Sequence, residues 1–104
     1  MKNRLYDVCI VGGLGHVGLP LGISLADSGK KVVLYDISQA AKDCVSKGIM
    51  PFLEEGAEDI LKDVLGRSLF ISSNKEVISE SYFVIIVIGT PVDEHPQYHT
   101  SFLM

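Results

Sequence analysis

Apolar residues change rhythm repeatedly along this chain, alternating between short continuous runs and helical spacing. Asp7 to Val11 reads as a strand whose apolar run stops at Gly12-Gly13, a pattern that suits a central parallel strand covered on both faces. Helical spacing follows from about His16 to Ser28, with Pro20 harmless in the first turn and Gly29 as a left-handed stop. Val32 to Tyr35 is a second strand, closed by Asp36. Ser38 is placed to cap a helix that runs to about Lys47 and ends at Gly48. A loop from Ile49 to Gly56 contains Pro51, and Ile60, Leu61, Val64 and Leu65 then fall on one helical face before Gly66. Leu69 to Ile71 makes a short third strand. Asn74 is expected to cap a brief helix to about Ser81, and Phe83 to Ile88 a fourth strand.

Strands of buried type alternating with helices predict one α/β domain with a parallel sheet and right-handed crossovers. The turn after the first strand adds chemistry. Gly13-x-Gly15-x-x-Gly18 follows a buried strand and opens a helix, and Asp36 ends the next strand eighteen positions after Gly18. A lone glycine triplet means little, but this context is that of a dinucleotide-binding unit. Gly13 is expected to allow the tight turn, Gly15 the approach of a pyrophosphate, and Gly18 close packing of helix on strand. The diphosphate would lie on unsatisfied N–H groups at the helix N-terminus, favoured by the helix dipole, with Gly13, Leu14, Gly15, His16, Val17 and Gly18 as the cofactor-binding residues. Asp36 would accept hydrogen bonds from the adenosine ribose, and Ile37-Ser38-Gln39 supplies no arginine for a 2′-phosphate, so NAD is expected over NADP. Asp36 is equally compatible with merely starting the next helix turn. The fold expected is a Rossmann-type parallel sheet, truncated, in strand order 3-2-1-4.

That order places the fourth strand at an edge although all six of its residues are apolar. After it come only Gly89 to Met104, without another strand-like run. A flat apolar edge is an aggregation hazard. Either the chain is a piece of something longer or it pairs with a second copy as a homodimer through this strand. The turn Gly89-Thr90-Pro91 lies at the carboxyl edge of the sheet, where Thr90 could hydrogen-bond the cofactor or substrate, or it is an ordinary strand-ending turn.

Composition narrows the partners. A net charge of −4 disfavours nucleic acid and anionic membranes, and the one basic cluster, Lys30-Lys31, reads as a solvated strand entrance. The longest apolar run, Tyr82 to Ile88, is too short to cross a bilayer, and no signal-peptide core follows Met1. Cys9 and Cys44 are unpaired in any known motif and read as small buried hydrophobes of a cytoplasmic protein. His16, His95 and His99 show no metal-ligand spacing; His16 either flanks the phosphates or packs. Glu54-Glu55 reads as a solvated loop tip. The chain offers no nucleophile–base pair, so no catalytic residue is assigned.

Three segments in combination resemble the UDP-glucose/GDP-mannose dehydrogenase family. They are Val11-Gly-Gly-Leu-Gly-His-Val-Gly-Leu-Pro-Leu21 with Asp36, Gly48-Ile-Met-Pro-Phe-Leu-Glu-Glu-Gly56, and Val87-Ile-Gly-Thr-Pro-Val-Asp-Glu94. Among members, the UDP-N-acetylmannosamine and UDP-N-acetylglucosamine 6-dehydrogenases are most similar, over about residues 5 to 95. The resemblance implies two successive NAD-dependent oxidations of a sugar C6 alcohol to a carboxylate. It also implies cofactor roles for Gly13, Gly15, Gly18, Asp36 and Thr90.

His16 stands where the family commonly has tyrosine, and Glu55 where it often has proline. Family members are several times longer, and their catalytic cysteine, lysine and aspartate lie in segments absent here; neither Cys9 nor Cys44 matches the nucleophile. The expectation is therefore an NAD-binding portion that does not itself oxidise a sugar, its catalytic and UDP-sugar-binding domains lying outside this chain. Rival readings are a non-catalytic NAD-sensing module and the cofactor domain of a hydroxyacid or hydroxyacyl dehydrogenase, the latter opposed by Gly89-Thr90-Pro91. A binder of S-adenosylmethionine fits the glycine turn and Asp36 less well than a pyrophosphate does.

Overall fold

The computed structural model describes residues 4–88. Four parallel strands form one sheet in the order β3-β2-β1-β4: β1 Tyr6–Val11, β2 Val32–Tyr35, β3 Leu69–Ser72 and β4 Ser81–Ile86. The helices are α1 Gly18–Asp27, α2 Gln39–Ser46, α3 Ala57–Val64 and the single turn α4 Glu76–Ser79. The expected class and strand order are those observed.

β1 is central because its side chains are apolar on both faces and both of its edges are paired. Val8 and Ile10 point to one face with Val32, Leu34 and Leu69, and there meet Leu19, Ile23 and Ala26 of α1, Val45 of α2, and Leu61 and Val64 of α3. This is the main core. Cys9 and Val33 point the other way and meet only Val77, with Tyr6, Val11, Tyr35, Phe70 and Ile78 at the margin. Burial pushes the Cys9 thiol above its ordinary value, against the opposing pull of a hydrogen bond with Ser81, so it stays protonated and inert. Cys44, expected to be buried, is only half-buried, and its Sγ donates to the Ile49 carbonyl at 3.4 Å.

Caps and stops follow the sequence closely. Ser38 Oγ accepts from Ala41 N–H at 3.3 Å, and Gly29, Gly48 and Gly66 all take positive φ just after their helices. Asn74 is not the cap of α4: Lys75 holds that position without a side-chain bond, Asn74 Oδ1 accepts from Glu76 N–H at 3.0 Å from one residue earlier, and the helix lasts only to Ser79. Two boundaries moved further. α1 begins at Gly18 rather than His16, because residues 12–17 are spent carrying the chain from the sheet edge into the helix. β4 begins at Ser81 rather than Phe83 and ends at Ile86 rather than Ile88. Its length is set by its partner, Tyr6 standing opposite Ser81 and Val11 opposite Ile86, and not by its own apolar run.

Candidate functional site

The end of β1 and the start of α1 face each other across one turn, and its glycines have unlike duties. Gly12 takes φ +80°, so it is the residue that makes the turn; that duty was expected of Gly13. Gly13 is glycine for want of room: a Cβ there would stand 2.7 Å from Leu34 Cβ and 2.8 Å from the Ile10 carbonyl oxygen. At Gly18 a Cβ would come within 2.5 Å of the Gly12 carbonyl oxygen, and at Gly22 within 2.5 Å of Leu34 Cδ2. Gly18 and Gly22 thus let α1 lie directly on the turn and the sheet, as close helix–strand packing requires.

Gly15 is different. A Cβ there would meet only the Gly12 carbonyl oxygen, at an ordinary 3.7 Å, and its φ lies outside the left-handed region. Neither packing nor backbone conformation asks for glycine at this exposed position. It leaves open volume against the backbone, the room that a bound diphosphate would need. Among the described residues the N–H groups of His16 and Val17 meet no acceptor, so donors at the α1 N-terminus are open to an anion.

The turn is held from the side of β2. Gly12 and Gly13 N–H both donate to the Tyr35 carbonyl, at 2.9 and 3.2 Å. Asp36 reaches across as well: Oδ2 accepts from Leu14 N–H at 3.0 Å and Oδ1 from Ser38 N–H at 3.1 Å. These bonds use part of the carboxylate's acceptor capacity of about four, which leaves lone pairs for two ribose hydroxyls. Asp36 thus opens the turn before α2 and also stands at the rim of the glycine turn.

Residues 13–18 and Asp36 are brought together; Thr90, with the turn Gly89-Thr90-Pro91, lies outside the described residues. His16 is exposed, and its ring stacks on Phe52 with centroids 4.3 Å apart and planes inclined by 20°. Phe52 belongs to the 49–56 loop and carried no signal of its own in the sequence; Gly12, by contrast, was signalled by the Gly12-Gly13 pair that ends β1. Glu54 and Glu55 are exposed, in keeping with a solvated loop tip. Among the described residues no group of three or more His, Cys, Asp or Glu gathers as a metal site, and no helix is long and apolar enough to cross a membrane.

Comparison with known proteins meets this geometry from outside. The family model for the NAD-binding domain of the UDP-glucose/GDP-mannose dehydrogenases matches residues 6–104. UDP-glucose 6-dehydrogenase YwqF of Bacillus subtilis is 35% identical over 81 residues, covering 76% of this chain and 18% of that protein. GDP-mannose dehydrogenase of Pseudomonas aeruginosa, solved as a ternary complex, superposes with a TM-score of 0.76 at 25% identity over 92% of this chain and 23% of its own. The UDP-N-acetyl-mannosamine dehydrogenase Cap5O of Staphylococcus aureus does so with a TM-score of 0.73 at 31% identity, over 94% and 24%. The chain spans about a tenth to a fifth of the length of the curated relatives it matches. A glycine turn with open volume at its central glycine, an acidic residue at its rim and this family match lead to one conclusion: the chain belongs to the UDP-glucose/GDP-mannose dehydrogenase family, as an NAD-binding domain.

Proposed function

We propose that this chain is the cofactor-holding portion of a nucleotide-sugar 6-dehydrogenase, which oxidises the C6 alcohol of a UDP-sugar to a carboxylate. The observation that carries this reading is the free volume at Gly15 beside the open N–H groups of His16 and Val17. In it, the backbone from Gly13 to Gly18 holds the diphosphate, Asp36 the adenosine ribose, and Thr90 the region nearer the nicotinamide. When bound, NAD accepts hydride from the sugar carbon. The chain's own residues bind and orient; the groups that act on the sugar belong to further domains, and this portion alone is inactive. Its two free cysteines suit a reducing cytoplasm.

Cofactor choice tests the assignment. Asp36 presents a negative charge to the ribose edge, and the sole ion pair among the described residues, Arg67–Asp63, lies elsewhere. A 2′-phosphate at this rim meets repulsion of about 1 to 4 kcal/mol per unit charge, so NAD should bind at least about tenfold more tightly than NADP. Asp36→Asn keeps an oxygen for Leu14 N–H but removes the charge, and should narrow that gap several-fold in a calorimetric titration. A wild-type chain that prefers NADP would mean that Asp36 does not face the ribose.

The open edge at β4 is a separate question from the cofactor reading. We propose that the chain forms a homodimer by pairing this strand with its copy, since β4 is a sheet edge among the described residues and its residues from Tyr82 to Ile86 are exposed.

A further inference from the structure

We infer that the 49–56 loop is a strap that orders the diphosphate-binding turn, with Phe52 as a positioning residue acting through His16. The inference rests on the diphosphate lying on that turn. The base of the turn is well anchored: Gly12 and Gly13 hang from the Tyr35 carbonyl, and Leu14 from Asp36. Its far end is tied by Leu19 N–H donating to the Gly15 carbonyl at 3.0 Å. At the exposed tip, His16-Val17, the Val17 carbonyl accepts from Leu21 N–H at 3.2 Å, but the two N–H groups an anion needs meet no acceptor among the described residues, and His16 has no backbone bond there. What reaches the tip is the Phe52 ring, stacked on His16 at 4.3 Å.

The strap is built to hold that ring in place. Gly48 and Gly56 bracket it, both at positive φ, so the chain reverses sharply at each end. Near its start, Ile49 N–H donates to the Cys44 carbonyl at 3.2 Å, and Met50 N–H to Glu58 Oε2 at 2.9 Å. Near its end, Ala57 N–H donates to the Glu54 carbonyl at 3.1 Å. Met50 and Phe52 are half-buried and pack on the main core, so the ring is braced from behind. A donor set fixed before the ligand arrives loses less freedom on binding, and binds more tightly for it. His16 occupies the tip as an aromatic partner for Phe52, which gives this position a role beyond any contact with phosphate.

Because the two rings act as one unit, their effects on NAD should not add. An aromatic pair of this kind sets the scale, so Phe52→Leu and His16→Ala should each weaken NAD by about three- to tenfold. The double variant should be no weaker than the weaker single one, and Phe52→Tyr should stay within about twofold of wild type. Calorimetric titration of the full chain reads all four. In the wild type the His16 ring protons should resonate upfield through the ring current of Phe52, and Phe52→Leu should abolish that shift. Additive losses, an unchanged affinity in Phe52→Leu, or unshifted His16 protons would overturn the strap. Gly15→Val in the same series separates the two ideas. If it binds NAD like wild type, the diphosphate reading itself fails; if it loses NAD while Phe52→Leu does not, only the strap does.

Discussion

Gly15→Val should abolish NAD binding while leaving the fold intact, with affinity lower by at least about a hundredfold. The backbone at Gly15 is outside the left-handed region, and its Cβ site touches only one carbonyl oxygen, at 3.7 Å, so a Cβ enters without strain. That side chain then stands where the diphosphate approaches. Two or three hydrogen bonds from backbone N–H to a charged acceptor are lost, each worth about 1.5–3 kcal/mol. Titration calorimetry should show no heat while circular dichroism and the melting temperature match wild type. Gly18→Ala is the informative control. Its Cβ would lie 2.5 Å from the Gly12 carbonyl oxygen and 2.9 Å from Gly13 Cα, backbone atoms that cannot swing away. Overpacking of this kind costs about 1–3 kcal/mol. In a domain of this size that lowers the melting temperature by about 10 °C. The expected contrast is a loss of binding at one glycine and a loss of stability at the other.

The second large effect is expected at the sheet edge. Phe83 is 70% exposed, Ile86 66% and Ile88 83%, with Tyr82, Val84 and Ile85 also open to solvent. Scaled by the size of these side chains, they offer on the order of 700 Å², close to the ~800 Å² that each partner contributes to a stable interface. A two-fold axis would set β4 antiparallel to its copy, joining two four-stranded sheets into one and pairing the backbone groups of both edges. Each large side chain covered is worth about 1.5–3 kcal/mol, against an association cost of about 4–15 kcal/mol, which places dimerisation in the micromolar range or below. Ile86→Lys should shift the equilibrium to monomer by at least about tenfold. The lysine is well solvated on an exposed strand but loses water at the centre of an interface. Sedimentation at micromolar concentration decides it, and a wild-type monomer would contradict the dimer.

Local chemistry made most of this architecture readable in advance. Runs such as Val8-Cys9-Ile10-Val11 and Val32-Val33-Leu34 can satisfy only a sheet covered on both sides, and Gly29, Gly48 and Gly66 end helices by a conformation other residues resist. What stayed hidden depends on partners distant in sequence. β4 starts at Ser81 because β1 offers Tyr6 to pair with it, which no property of Ser81 announces. Gly12 takes the positive φ, while Gly13 is glycine because Leu34 crowds it from the neighbouring strand, a division that spacing alone does not show. The Phe52–His16 stack joins residues far apart in the chain, and the bond from Leu14 N–H to Asp36 spans the two strands that the motif links only by spacing. Residue types and their intervals pointed to the glycine turn as the candidate cofactor site; the division of labour among its glycines required the packing around them.

The central claim is that NAD rests its diphosphate on the turn from Gly13 to Gly18, and amide resonances can observe this directly. With ¹⁵N-labelled chain titrated with NAD, the largest shifts should fall on His16, Val17 and Gly18, with Leu14 and Ser38 following as Asp36 engages the ribose. NAD that binds but moves amides elsewhere, leaving His16, Val17 and Gly18 unchanged, would contradict the account.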